Sequence, residues 1–335
     1  MPDVTATAPA RVAIAGNPSD GYGGRTISLA IANYAATVTV AASPELAMLP
    51  APQDEVRFES VAALVDDVRA NGYYGGLRLL KAAIHCFAGH CRERGIEVAD
   101  RTFAIHYETD IPRGVGLGGS SAIVTAALRA MAGFCGVEIA RDELPDLALS
   151  VETRELGITA GLQDRVAQAY GGLTYMDFDP ARVARDGHGR YEPLDPAQLP
   201  PLFVAHLARA AEPSDVFHSD LRRRFESGET AVVDAMSRLA GLADDARAAL
   251  LRADADALGR AMDESFEARR SIAALDPPHV EMIELAWANG ASANYAGSGG
   301  AIVGMPRDGA DPNRLAAAFE ELGCRLAACR PAASE

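Results

Sequence analysis

The residues whose types and spacing most clearly carry chemistry are Pro112, Gly114, Gly116, Leu117, Gly118, Gly119, Ser120, Ser121 and Ala122, a loop running straight into an alanine-rich stretch. Glycines admit backbone N–H groups close to a phosphate, and a helix N-terminus behind them adds partial positive charge and unpaired donors. That combination suits a nucleoside triphosphate. The lysine a Walker loop requires after its last glycine is absent. Gly114, Gly116 and Gly119 satisfy G-x-G-x-x-G, but the loop does not open a βαβ unit, so a nicotinamide oxidoreductase would rest on that weak pattern alone.

A second cluster, Gly297, Ser298, Gly299 and Gly300, reads on its own as a tight turn as readily as a binding loop. Between the clusters lie Glu152 and Asp164, separated by a glycine-broken turn. Phosphoryl transfer uses one carboxylate to hold a metal ion and often another to orient the nucleophile's proton. In a chain with 46 acids, spacing alone favours solvated surface charges for both. Arg11 opens an apolar strand, where a cation usually sits at the surface but can face a cleft at the strand end. Arg222, Arg223, Arg224, Arg269 and Arg270 lie in acid-rich helical segments, so a solvated face is the default and phosphate or carboxylate binding the sharper alternative. The histidines show no ligand spacing and read as structural. Five thinly spread cysteines do not form a disulfide framework, and the gap within Cys86/Cys91 and Cys324/Cys329 fits zinc poorly.

The elements that must position these residues follow from periodicity. Residues 11–15 and 37–40 read as strands; Leu77, Leu80, Ile84, Phe87 and Cys91 line one face of a long helix; Phe103, Ile105 and Tyr107 alternate as a half-buried strand. Residues 123–134 form a buried helix, 173–178 and 202–207 strands, 214–275 charged helices, and 302–305 a short strand. The polar, proline-bearing stretch 179–201 marks the passage between two domains, 1–195 and 196–335, and the mixture of elements makes the fold α+β.

Length and charge narrow the function. The 335 residues suffice for two cores, and a net charge of −15 disfavours nucleic acid and anionic membrane surfaces as partners. No apolar run approaches the ~20 residues needed to span a bilayer, so a soluble, cytoplasmic protein is expected.

Residues 11–20, 112–122 and 296–301 resemble, in order and spacing, the three motifs of the GHMP kinase superfamily. Within it, residues 16–20, 25–28, 117–123, 156–168 and 170–178 are similar to plant-type glucuronokinases, which phosphorylate the anomeric hydroxyl of D-glucuronate. Asn17 and Pro18 stand where galactokinases carry Glu-His, and Gly23 where the plant enzymes carry a bulkier residue, a difference expected to bear on the sugar pocket. The resemblance implies an N-terminal domain like ribosomal protein S5 domain 2 and a ferredoxin-like C-terminal domain, with ATP and Mg²⁺ bound between them. It implies that Ser121 and Glu152 hold Mg²⁺ and that Asp164 acts on the acceptor hydroxyl as base or orienting group. Arg11 would lie beside Asp164, where a fixed cation offsets developing charge. The loop from Pro112 to Ala122 would cradle the phosphates, with Asp20, Gly297, Ser298 and Gly299 at the substrate. An arginine fork is the natural partner of a uronic acid carboxylate, and Arg25 is the first candidate. A heptose-phosphate or neutral-sugar kinase, or a non-catalytic sugar sensor on the same fold, is the alternative.

Overall fold

The computed structural model describes residues 2–54, 59–65, 75–158, 160–207 and 215–334. The first part of the chain supplies β1 (Val4–Ala15), β2 (Arg25–Ala42), β3 (Ala47–Met48), α1 (Gly76–Glu93), β4 (Phe103–Thr109), α2 (Gly119–Cys135), α3 (Leu144–Ser150), α4 (Gln163–Tyr170), β5 (Leu173–Asp177), α5 (Pro180–Asp186) and β6 (Arg190–Leu194). The remainder supplies β7 (Phe203–Leu207), α6 (Asp215–Glu226), α7 (Thr230–Leu251), α8 (Ala255–Arg270), α9 (Pro277–Ala288), β8 (Ala291–Tyr295), β9 (Ala301–Pro306), α10 (Pro312–Glu321) and β10 (Cys324–Ala328). The fold is α+β, with one sheet ordered β3-β4-β2-β5-β6 and β1 also paired to β2, and a second ordered β10-β7-β9-β8.

The long strand β2 organises the first sheet. Antiparallel β1 pairs along it from Ile27 to Val40, while its other edge is divided between β5 at residues 25–29 and β4 at residues 36–42. β1 begins at Val4, well before the apolar run at Arg11, because cross-strand hydroxyl pairs Thr5–Thr39 and Thr7–Thr37 extend the ladder through a polar segment. The register slips between Pro9 and Ala10, and on the other edge of β2 the C-terminal tail occupies the interval between the β5 and β4 stretches. The Ala32 N–H donates to the Arg330 carbonyl and the Ala332 N–H to the Ala30 carbonyl.

Residues 179–201 are more than a passage. Asp179 caps α5 by accepting the Arg182 N–H, Pro180 occupies its first turn, and Arg190–Leu194 adds the outermost strand of the first sheet, an edge position that tolerates Pro193. The crossing between sheets falls on residues 195–202.

Helix α2 buries Ala122, Ala126, Ala127 and Ala130, small residues that let its axis lie close to the first sheet. The core around it continues into the second part of the chain through Ala243 and Leu250 of α7, Leu258 and Met262 of α8, and Val303 of β9. A separate core under the second sheet contains Phe203, Phe266, Met282 and Phe319. Among the described residues no helix is long and apolar enough to cross a membrane. The five cysteines are free thiols, and burial pushes Cys324 up to about 11 and Cys329 up to about 12.

Gly304 lies opposite Phe203 across the β7–β9 ladder, and a Cβ added there would fall 2.0 Å from the Phe203 ring. Gly304→Ala is therefore expected to destabilise the fold by about 1–3 kcal/mol through overpacking. Denaturant titration would register this as a lower midpoint with an unchanged slope, and trimming the ring with Phe203→Leu in the same chain should restore part of the loss.

Candidate active site

Arg11 projects from β1 with only 4% of its surface exposed. Its Nε donates to Asp164 Oδ1 at 2.6 Å, and its Nη1 donates to the carbonyls of Gly116 at 2.6 Å and Ala296 at 2.7 Å. One guanidinium thus joins a strand, both glycine clusters and a carboxylate presented by the first turn of α4. The backbone repeats the connection, because the Arg11 N–H donates to Leu117 and the Ala13 N–H to Ala296.

The two glycine clusters pack against each other. A Cβ at Gly116, whose φ is +73°, would lie 2.8 Å from the Ser298 nitrogen, and one at Gly297 would lie 2.1 Å from the Gly116 oxygen. Only residues without side chains permit this approach. Arg269 holds the second cluster from behind, donating to Gly297 O at 2.6 Å and Ser298 O at 2.8 Å with its guanidinium over the Tyr295 ring. Burial draws the Arg269 guanidinium down to about 10, so it is still a cation at neutral pH. The solvated face expected of the 269–270 pair holds for Arg270, which meets Glu267 and Glu284 at the surface, and not for Arg269. Leu258, Met262 and Phe266 are buried at helical spacing, and residue 269 continues that stripe.

Glu152 sits where α3 widens into the π-helical turn Val151–Glu155, and is 1% exposed. Its Oε1 accepts the Ser120 hydroxyl at 2.7 Å, while its Oε2 is held by Arg165, whose Nε lies 2.9 Å away. Ser121, expected to share a metal ion with Glu152, does not face it in the structure. Ser121 is fully buried and turns its hydroxyl back to the Gly118 carbonyl, because α2 starts at Gly119 and its inward face falls on Ser121 and Ala122. The oxygens that face each other are those of Ser120 and Glu152, and hard oxygen donors of this kind suit a small divalent cation that completes its shell with phosphate oxygens.

Asp20, from the short 3-10 turn after β1, accepts the Gln163 N–H at 3.2 Å and its side-chain amide at 3.4 Å. Gln163 also donates to Asn17 and accepts from Ser28, and Asn17 donates to Gly297. A Cβ at Gly161 would lie 2.4 Å from Asp20 Oδ2, so glycine is needed for the chain to pass there. Burial raises the Asp20 carboxyl from 3.8 to about 6; the Gln163 N–H and Arg11 pull it down and Asp164 pushes it up.

These groups open onto a cavity of about 790 Å³. One stretch of its wall is apolar, with Leu79, Tyr107, Ile111 and Leu156; another is polar, with Asn17, Asp20, Tyr22 and Arg222. Pro112, Gly114, Gly116, Leu117, Gly118, Gly119, Ser120, Glu152, Asp164, Gly297 and Ser298 all line it. Ser121, Ala122 and Gly299 do not, and Gly299 instead faces His279. Arg25, expected at the substrate, is also outside it: the guanidinium at the start of β2 turns to Asp244 at 3.1 Å and the Ala240 carbonyl on α7. Gly23 packs against Pro180, away from the cavity. Gln163, Arg165 and Arg269 are the residues that sequence reasoning left without a role.

Because the native protein holds the Asp20 proton to about pH 6 and the unfolded chain releases it near pH 4, the native state binds more protons in that window. Stability contributed by this group is present below pH 4 and lost as pH rises through 6. The difference in unfolding free energy between wild type and Asp20→Asn should therefore shift against wild type by up to about 3 kcal/mol from pH 4 to 7. Equilibrium denaturation across that range measures it, and a flat difference would contradict the burial argument.

Residues 78–172 match the family described as GHMP kinases N terminal domain. The chain is 42% identical over 326 residues to glucuronokinase 1 of Arabidopsis thaliana, covering 95% of this chain and 88% of that protein. It is 44% identical over 303 residues to probable glucuronokinase 2 of the same plant, covering 88% and 82%. Lactococcus lactis galactokinase complexed with galactose superposes with a TM-score of 0.76 at 15% identity, covering 99% of this chain and 95% of that one, which shows a shared fold. With both glycine clusters, the buried Arg11–Asp164 pair and this similarity along most of its length, the chain belongs to the GHMP kinases, among the glucuronokinases.

Proposed function

We propose that the protein transfers the terminal phosphoryl group of ATP to the anomeric hydroxyl of D-glucuronate, giving D-glucuronate 1-phosphate. The observation that carries this reading is the position of Asp164: ion-paired to Arg11, 17% exposed, and on the wall of the cavity that also contains the first glycine loop. Phosphoryl transfer asks little covalent chemistry of a protein and depends on positioning and charge neutralisation.

In this reading Asp164 accepts the hydrogen bond of the sugar hydroxyl and aims its lone pair at the phosphorus. Arg11 fixes that carboxylate and presents positive charge where charge develops on the transferring group. Backbone amides between Gly114 and Ser120 receive the phosphates, the apolar wall near Leu79 and Tyr107 receives the base, and Asp20 accepts sugar hydroxyls. Ser120 and Glu152 would hold Mg²⁺, which supplies neutralisation of the phosphate oxygens. Arg165 keeps Glu152 from rotating away, since it holds the opposite carboxylate oxygen.

ADP release coupled to a spectroscopic assay, screened against uronic acids, neutral hexoses and heptose phosphates, tests the assignment, with NMR locating the phosphorylated carbon. Turnover of glucose as fast as glucuronate would sink the uronate specificity. Asp164→Asn should retain its circular dichroism spectrum while kcat falls by about 10²–10⁴-fold. Near-normal turnover by that variant would show that another group positions the hydroxyl. Removing divalent ions with a chelator should abolish activity, and added Mg²⁺ should restore it.

A further inference from the structure

Among the described residues five arginines line the cavity, and four have duties apart from the sugar's far end. Arg11 and Arg165 are ion-paired with Asp164 and Glu152. Arg113 lies within the glycine loop, and Arg78 donates to the Leu156 carbonyl beside the apolar wall. Arg222 stands elsewhere, on the polar wall with Asp20, Gly21 and Tyr22.

Its placement is fixed by neighbours on its own helix. Leu221 is buried, and Phe225 packs on Tyr22 with ring centroids 4.8 Å apart. Arg224 pins the helix end to the Ile272 carbonyl at 2.6 Å and to Glu229. The Arg222 guanidinium donates one Nη2 bond to the Gly21 carbonyl at 3.1 Å and lies over the Tyr22 ring at 5.4 Å. Its contact with Glu226 is 3.9 Å long and solvent-exposed, the kind of pair that contributes little and yields to a better anion. A planar fork held by a carbonyl and a ring, with donors left over, is pre-organised for a carboxylate.

We infer that Arg222 binds the C6 carboxylate of the sugar and is the residue that selects a uronate over its neutral counterpart. The inference rests on the glucuronate reading above and adds a specificity residue to it. Asp20, on the same wall, repels a carboxylate and favours hydroxyls; Arg222 supplies the opposite preference next to it. The substrate's two ends are thereby distinguished, with hydroxyls at Asp20 and Asp164 and the acid at Arg222.

The test compares kcat/KM for D-glucuronate and for D-glucuronamide, its uncharged isostere, in wild type, Arg222→Met and Arg222→Lys. Wild type should prefer the acid. Arg222→Met should raise the KM for glucuronate by about tenfold or more and collapse the acid-to-amide ratio, while Arg222→Lys, which keeps charge without the fork, should fall between. If both substrates decline together and the ratio survives, Arg222 only braces Gly21 and Tyr22, and the inference is overturned while the kinase assignment stands. If wild type phosphorylates neither compound, the glucuronate reading itself fails and takes this one with it.

Discussion

A buried guanidinium is costly unless its charge is paired and its donors are met, and the site is organised around meeting that demand for Arg11. The partners come from distant parts of the chain: Asp164 from α4, Gly116 from the first glycine loop and Ala296 from the end of β8. None of these could move alone without leaving a buried cation short of an acceptor. The ion pair therefore does structural and chemical work together, registering the second sheet against the first and holding a carboxylate at the cavity wall. Arg269 repeats the device one layer out, holding the carbonyls of Gly297 and Ser298. The second cluster is thus clamped between two buried arginines.

How much of this could be read in the sequence depended on whether a feature is local. Phe103, Ile105 and Tyr107 announce β4 by alternation, and the alanines after Ser121 announce a buried helix, because each pattern is set by neighbours along the chain. Asp164 and Arg11 were legible through their motifs; spacing alone would have left them among the many surface charges. Which of two adjacent serines faces the cavity was not legible, since it turns on whether α2 begins at Gly119 or one residue later, a rotation of about 100°. Arg25 illustrates a different limit. Its guanidinium is taken by α7, more than two hundred residues onward, and nothing near Arg25 in the chain signals that helix. Arg269 could have been found, by extending the buried stripe of Leu258, Met262 and Phe266 by three residues.

The glycines admit a reading beyond contact with phosphate. Gly297 is a glycine because it faces the Gly116 carbonyl, and Gly116 because it faces the backbone of Ser298 and Gly299, with no room for a methyl group at either position. The second cluster reaches the cavity through Gly297 and Ser298 and supports the first cluster from behind, while Gly299 is turned towards His279. A loop backed in this way has its donors set before a ligand arrives, so little reorganisation is spent when charge moves in the reaction.

The same economy of placement resolves a conflict in the charges. A chain of net charge −15 should repel an anionic nucleotide and an anionic sugar alike. At physiological ionic strength, however, exposed charges beyond about 8 Å are largely screened, so the local balance decides. Among the described residues, five arginines and three carboxylates line the cavity. Arg11 and Arg165 are tied to Asp164 and Glu152, while Arg222 stands beside Asp20 on the polar wall. Against the acidity of the chain as a whole, the cavity thus sets guanidinium groups both beside the carboxylates that face it and on the wall that carries Asp20.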